Sequence, residues 1–174
     1  MKKSLTSFVE TFVVGLFLSI LVMVFVGQSL EITGNSMHPT LKDRERIVVE
    51  KVTFKGRAPE RGEIVVFRSL QNNAIFLIKR VIALSGDTLR LIDGKITVNG
   101  NIIGESYLPK NVKVESLGEL AKYNDSPIPK GYFAVMGDNR NESFDSRMFG
   151  LVPFDNLVGK AFVVYWPPTD IRRI

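Results

Sequence analysis

Phe76-Leu77-Ile78-Lys79-Arg80-Val81-Ile82-Ala83 is one of the most apolar runs beyond residue 30, yet it carries two adjacent cations. Aromatic and branched aliphatic residues suit a pleated, half-buried surface, so residues 74–83 are predicted to form a strand. Alternation puts Lys79 on one face with Leu77 and Val81, and Arg80 on the other with Ile78 and Ile82. A lysine among apolar side chains loses hydration, which disfavours its charged form. Lowering its pKa from about 10.4 to near 8 costs roughly 3 kcal/mol, which a folded domain tolerates. A neutral lysine can take a proton from a serine, and Arg80, if close in space, would favour that form further. Taken alone, Lys79 reads more simply as a snorkelling residue of an edge strand.

Outward from this strand, short apolar runs alternate with turn residues. Residues 46–52, 63–67, 88–92, 131–136 and 158–166 are predicted to be strands, as is Lys95–Val98. Asp93-Gly94 and Asn99-Gly100 are hairpin turns that bracket Lys95–Val98, so this stretch reads as a small meander. Residues 114–123 are the one short helical candidate. Residues 101–130, with Pro109, Pro127 and Pro129, read as an irregular excursion, and residues 167–174 as a polar tail. The expected fold is mainly β: one domain over residues 31–174, with a small insertion at 88–130 and short strands paired out of sequence order.

Residues 11–30 carry no charge. As a helix this segment reaches about 30 Å, enough to cross the hydrocarbon layer. Lys2 and Lys3 precede it and Glu31 follows, so the positive-inside bias keeps the amino terminus in the cytoplasm. Residues 1–30 thus read as a cytoplasmic amino terminus and one transmembrane helix, with the β domain on the extracytoplasmic side. The segment also fits a cleaved secretory signal, with Gly27 and Ser29 at −3 and −1 of a cut. Both readings place the domain beyond the cytoplasmic membrane.

The 174 residues include one histidine and no cysteine. A cysteine nucleophile, a disulfide framework and a thiolate metal site are excluded. One imidazole cannot supply a zinc site, and no metal or cofactor is expected. The net charge of +5 suits an anionic membrane surface. The basic residues are scattered rather than massed as in a nucleic-acid arm, so no nucleic-acid partner is expected.

Two further segments could carry chemistry. In Gly34-Asn35-Ser36-Met37-His38-Pro39-Thr40-Leu41, Pro39 restricts itself and pushes His38 toward extended geometry, while Gly34 permits positive φ. Ser36 is thereby held in a defined backbone shape, as a nucleophile requires; the plainer reading is a turn after the anchor. His38 is a poor partner, because extended i and i+2 residues stand roughly 7 Å apart. It reads as a partly exposed loop histidine. The other segment, Gly137-Asp138-Asn139-Arg140-Asn141-Glu142-Ser143-Phe144-Asp145-Ser146-Arg147, follows an apolar strand. It could orient a catalytic group through hydrogen bonds and ion pairs, or be a solvated loop.

Together these segments resemble the bacterial type I signal peptidases, membrane-anchored Ser–Lys endopeptidases. The family's Ser-Met-x-Pro-Thr-Leu is met at Ser36–Leu41, its Lys-Arg-Val and Gly-Asp at Lys79-Arg80-Val81 and Gly86-Asp87. Gly-Asp-Asn-Arg-x-x-Ser-x-Asp-Ser-Arg is met at every fixed position from Gly137 to Arg147. A further block resembles Arg61-Gly62-Glu63-Ile64-Val65-Val66-Phe67, and the blocks keep family order over nearly the whole chain. The resemblance implies a β fold shared with the SOS-repressor proteases, whose DNA-binding helices have no counterpart here.

The resemblance makes Ser36 the nucleophile and Lys79 the general base, with Ser143 hydrogen-bonded to Lys79. Asp145 and Arg147 become a supporting ion pair, Asp138 and Arg80 structural charges, and the Ser36 N–H an oxyanion donor. Gly34 stands where some members carry a hydroxyl donor; Glu63 and Ser85 replace a more usual aspartate and proline. The implied activity is removal of signal peptides from exported preproteins after a small-x-small motif, through an acyl-enzyme. Substrate would add as a strand beside residues 32–34 and 76–78. Ile32, Gly34, Met37, Leu41, Leu77, Ile78, Met136 and Phe144 are the candidates for contacting it. The expected setting is a monomer in the inner membrane, with preproteins and lipid as partners. The alternatives are a specialised processing peptidase of a secretion or conjugation system, and an inactive membrane-tethered peptide-binding domain.

Overall fold

The structure, a computed structural model, describes residues 2–25, 27–110 and 112–174. Helix α1 spans Lys2–Phe25 and is followed at once by strand β1, Gly27–Glu31. The uncharged segment 11–30 is therefore not one helix: its last residues leave it to pair with β2, Arg46–Glu50. The described apolar side chains of α1, Phe8, Phe12 and Phe17 among them, are exposed. Among the described residues no helix is long and apolar enough to cross a membrane. The side chains of residues 21–26, on which the expected span partly rests, lie outside the described residues.

The remaining main strands are β3 (Ile64–Arg68), β4 (Phe76–Leu84), β5 (Leu89–Ile92), β6 (Lys95–Val98), β7 (Asn101–Ile102), β8 (Tyr132–Met136), β9 (Val152–Pro153), β10 (Leu157–Trp166) and β11 (Arg172–Arg173). The fold is mainly β. One antiparallel sheet runs β1-β2-β10-β3-β4-β8-β9, with β11 on β10; a second runs β5-β6-β7. Asp93 and Gly94, then Asn99 and Gly100, all have positive φ. That is what two-residue hairpin turns demand, and it folds the small sheet as a meander.

Burial explains the curl of the large sheet. Ile64, Val65, Val66 and Phe67 of β3 are all buried, so both of its faces are covered. Val65 and Phe67 join Val81, Phe133 and Val135, while Ile64 and Val66 join Ile47, Val49, Ala161 and Val164. Register shifts in β10 and β4 let the strands bend around these two layers. A third cluster seats the small sheet on Ile82, Ala134 and Met136 through Leu89, Ile96 and Val98.

Two expectations change. Residues 114–123 form no α-helix; a 3-10 turn occupies Gly118–Tyr123. Leu117 and Leu120, three apart and both buried, match the three-residue period of that turn. Residues 167–174 are not a loose tail: they form a 3-10 turn and β11, paired to Val163 and Val164.

Phe67 is fully buried, edge-on to Phe133 at 6.4 Å between ring centroids. Phe67→Ala should lower unfolding free energy by about 3–5 kcal/mol in denaturant titration. Phe162→Ala, at a more exposed position of β10 whose ring Arg173 overlies, should lower it by no more than about 1 kcal/mol.

Candidate active site

The chain leaves β1 into a loop tied at both ends. The Ile32 N–H donates to the Glu45 carbonyl at 2.8 Å and the Arg44 N–H returns to that of Ile32 at 2.9 Å. Inside it Gly34 has φ +88° and donates its N–H to Asp43 Oδ1 at 2.7 Å. Residues 36–40 are a turn rather than an extended segment, closed by His38 N–H to Asn35 O at 3.0 Å and Leu41 N–H to Met37 O at 2.9 Å. Met37 and Leu41 are buried in the core beneath it. His38 is exposed, and Ser36 is half-buried above the apolar plug.

Lys79 meets this turn from β4. Its Nζ donates to Ser36 Oγ at 2.7 Å and to the Ile78 carbonyl at 2.9 Å. The residue is 3% exposed. Burial pushes its amine down from 10.5 to about 8, against the pull of Asp145 and then Asp138, which favour the charged form. Arg80 is not what lowers it: its guanidinium lies on the other face and is neutralised there. In the unfolded chain the amine is protonated up to about 10.5. Burying it thus costs roughly 3 kcal/mol below pH 8, a cost that fades as pH rises toward 10.5.

The charges around the pair are matched. Arg80 donates to both Asp138 oxygens, at 2.8 and 2.7 Å, and to the Gly62 carbonyl at 2.7 Å. Thr40 Oγ1, from the Ser36 turn, adds a 2.5 Å bond to Asp138. Arg147 donates to both Asp145 oxygens at 2.8 Å, and Asp145 Oδ2 also accepts the Gly137 N–H at 3.0 Å. Asp145 further caps the short helix α3, which follows α2 (Thr53–Gly56) in the chain and spans Ser146–Phe149.

Gly137 is where the two halves touch. The Asn139 N–H donates to the Ser36 carbonyl at 3.0 Å. A Cβ on Gly137 would overlap that carbonyl and the Ser143 hydroxyl. Ser143 is thus beside the dyad, but the expected Ser143–Lys79 hydrogen bond is not made. Lys79 is engaged with Ser36 and Ile78, and the buried Ser143 Oγ has no partner among the described residues.

A cleft of about 300 Å³ opens on Ser36 and Lys79. Of the expected contact residues Ile32, Leu77 and Ile78 line it, with Leu30, Thr33 and Phe76. Gly34 does not, and Met37, Leu41 and Met136 are core side chains with no surface to offer. Phe144 is exposed but packs against Phe149, ring centroids 5.3 Å apart and tilted at 58°, outside the cleft lining. Phe76–Ile78 pair with β3 along one edge only, because β8 joins β4 from Arg80 onward. Sequence reasoning missed a second network. Arg140, buried, donates to the Gly137 carbonyl at 3.1 Å and pairs with Glu105, and Tyr107 stacks on Arg80 at 3.8 Å. Burial, then the charge of Glu105, holds the Tyr107 phenol far above its ordinary range. Its signal was weak: a lone Glu-x-Tyr in a polar stretch.

Residues 5–166 match a protein-family model described as signal peptidase, peptidase S26. The probable signal peptidase I-2 of Synechocystis sp. is 38% identical over 163 residues, 91% of this chain and 72% of that protein. Signal peptidase IB of Staphylococcus aureus is 35% identical over 184 residues, 99% of this chain and 95% of that protein. A crystal structure of a signal peptidase I from Enterococcus faecalis V583 superposes with a TM-score of 0.51 at 32% identity, covering 60% of this chain and 97% of that one.

Gly137→Ala pushes the Ser36 carbonyl and Ser143 aside, so it should lower Tm and, at a temperature where circular dichroism shows it folded, lower activity. The loss expected in kcat is about 100-fold, measured on any substrate the wild type cleaves.

Proposed function

Because this chain belongs to the signal peptidase family, peptidase S26, we propose that Ser36 is its nucleophile and Lys79 its general base. The activity is that of the family, hydrolytic removal of signal peptides from exported proteins by a serine peptidase. The observation that carries the residue assignment is the 2.7 Å contact between Ser36 Oγ and a lysine that is 3% exposed. Neutral Lys79 takes the hydroxyl proton as Ser36 attacks the scissile carbonyl. The developing oxyanion is stabilised by the Ser36 N–H, which has no hydrogen-bond partner among the described residues. Lys79 then protonates the leaving amine and activates the water that releases the acyl group. Asp138–Arg80 and Asp145–Arg147 hold the surrounding loops, and Ser143 packs behind the dyad against Gly137.

The substrate adds as a strand along the open edge of Phe76–Ile78, facing Ile32 across the cleft. The small volume there favours small side chains next to the cut, as in a small-x-small motif. Helix α1, Lys2–Phe25, anchors the protein in the cytoplasmic membrane, with Lys2 and Lys3 on the cytoplasmic side and the sheet from Gly27 onward on the other. Exported preproteins and membrane lipid are its partners.

Ser36→Ala and Lys79→Ala should each abolish cleavage of a preprotein in detergent, read by mass spectrometry, with the circular dichroism spectrum kept. Full activity in either variant would sink the assignment. The base is active when neutral, so kcat/KM should climb as pH rises through about 8 and level off above it. A limb centred at the ordinary lysine value of 10.5 would contradict a dry Lys79.

A further inference from the structure

The segment after β10 folds back over the Ser36 turn, and Arg172 is where they meet. Its guanidinium donates to both oxygens of Glu45, at 2.9 and 2.8 Å, and to the Thr40 carbonyl at 2.8 Å. Glu45 is 2% exposed. Its Oε2 also accepts the Lys42 N–H at 3.0 Å, and its backbone carbonyl accepts the Ile32 N–H at 2.8 Å. One buried carboxylate residue therefore closes the loop that carries Ser36, and Arg172 neutralises it. The third contact reaches the turn itself: Thr40 is four residues past Ser36, and its hydroxyl donates to Asp138 at 2.5 Å. Arg172 is held in turn by its pairing with Val164, and Ile174 beside it donates its N–H to the Phe162 carbonyl at 3.1 Å and packs on the core.

We propose that Arg172 is a positioning residue for the nucleophile: by gripping Glu45 and the Thr40 carbonyl together, it sets the Ser36 turn at the height where the hydroxyl meets Lys79. The proposal rests on the Ser–Lys reading. The planar fork of arginine spans a carboxylate and a neighbouring carbonyl at once, whereas a lysine ammonium is a point charge that meets one acceptor well. Pairing the Glu45 charge and placing the turn are thus separable. Lysine at 172 does the first and not the second.

The experiment compares Arg172→Ala, Arg172→Lys and Arg173→Ala as full chains in detergent. Preprotein cleavage is measured at a temperature where each is folded by circular dichroism, and Tm is read alongside. Arg172→Ala should lose Tm and, where folded, roughly tenfold or more in kcat with KM changed less than about twofold. Arg172→Lys should recover most of the Tm but not the kcat. Arg173→Ala, whose side chain lies over Phe162, should keep wild-type kcat. Wild-type kcat in Arg172→Lys, or an Arg173→Ala loss equal to that of Arg172→Lys, would overturn the proposal. If Ser36→Ala is inactive in the same assay, that result leaves the Ser–Lys reading standing; if Ser36→Ala is active, both fall.

Discussion

The site depends on keeping one amine dry. A lysine in water is a cation at neutral pH and cannot accept a proton. Burial of Lys79 pulls it to about 8, and that burial is spread over distant parts of the chain. Strand β4 has neighbours on both sides at Arg80, Met37 and Leu41 plug the base of the Ser36 turn, and Gly137 brings the 137–147 loop into contact with Ser36. The two carboxylates that would hold the amine as a cation are Asp145 and Asp138. Each is gripped by its own arginine through two hydrogen bonds. An unmatched carboxylate there would undo part of what desolvation achieves. The paired arginines leave structural anchors whose charge is largely spent locally.

That arrangement explains why the polar loop after β8 is so well buried. Asp138, Arg140 and Asp145 are all buried, with Ser146 beside them, an unusual density for charged residues. Their hydrogen bonds run to backbone groups of the site as well as to each other. Gly137 alone has its N–H taken by Asp145 and its carbonyl by Arg140. Breaking one partner of such a pair leaves an uncompensated charge in the interior, so the loss of any one of them is costly. Arg140 extends the network to Glu105, which ties the excursion between the two sheets to the back of the dyad.

Local chemistry was legible in the sequence wherever period and turn residues decide the outcome. The Asp93-Gly94 and Asn99-Gly100 turns, strand β6 and the lysine inside an apolar strand all follow from short-range rules. What depends on distant partners was not legible. Gly27–Glu31 continues an uncharged run, and only its pairing with β2 makes it a strand. Met37 and Leu41 lie within the serine motif and Met136 just before the last one, and a motif does not tell whether such an apolar residue faces a substrate or the core. Arg172 and Tyr107 sit in stretches without periodicity, and their roles appear only when β10 and β4 bring Glu45 and Arg80 within reach.

The placement of β1 joins the fold to the proposed membrane setting. Ser36 is eleven residues beyond Phe25, the end of α1. A fully extended chain of that length spans at most about 36–40 Å. With α1 in the membrane, Ser36 therefore lies within that reach of the surface, and pairing of β1 and the turn at 36–40 shorten it. A signal peptide presents an apolar helix followed by a short extended stretch with small side chains. In the proposed binding mode that extended stretch is the part that would leave the lipid and lie along Phe76–Ile78. If α1 is the proposed anchor, its entry into the sheet after a single residue would hold the open edge near the level where the substrate helix ends. On the proposed membrane reading, the short connection would restrict the domain's distance from the bilayer, so geometry near the surface, besides the shape of the cleft, would help select which bond meets Ser36.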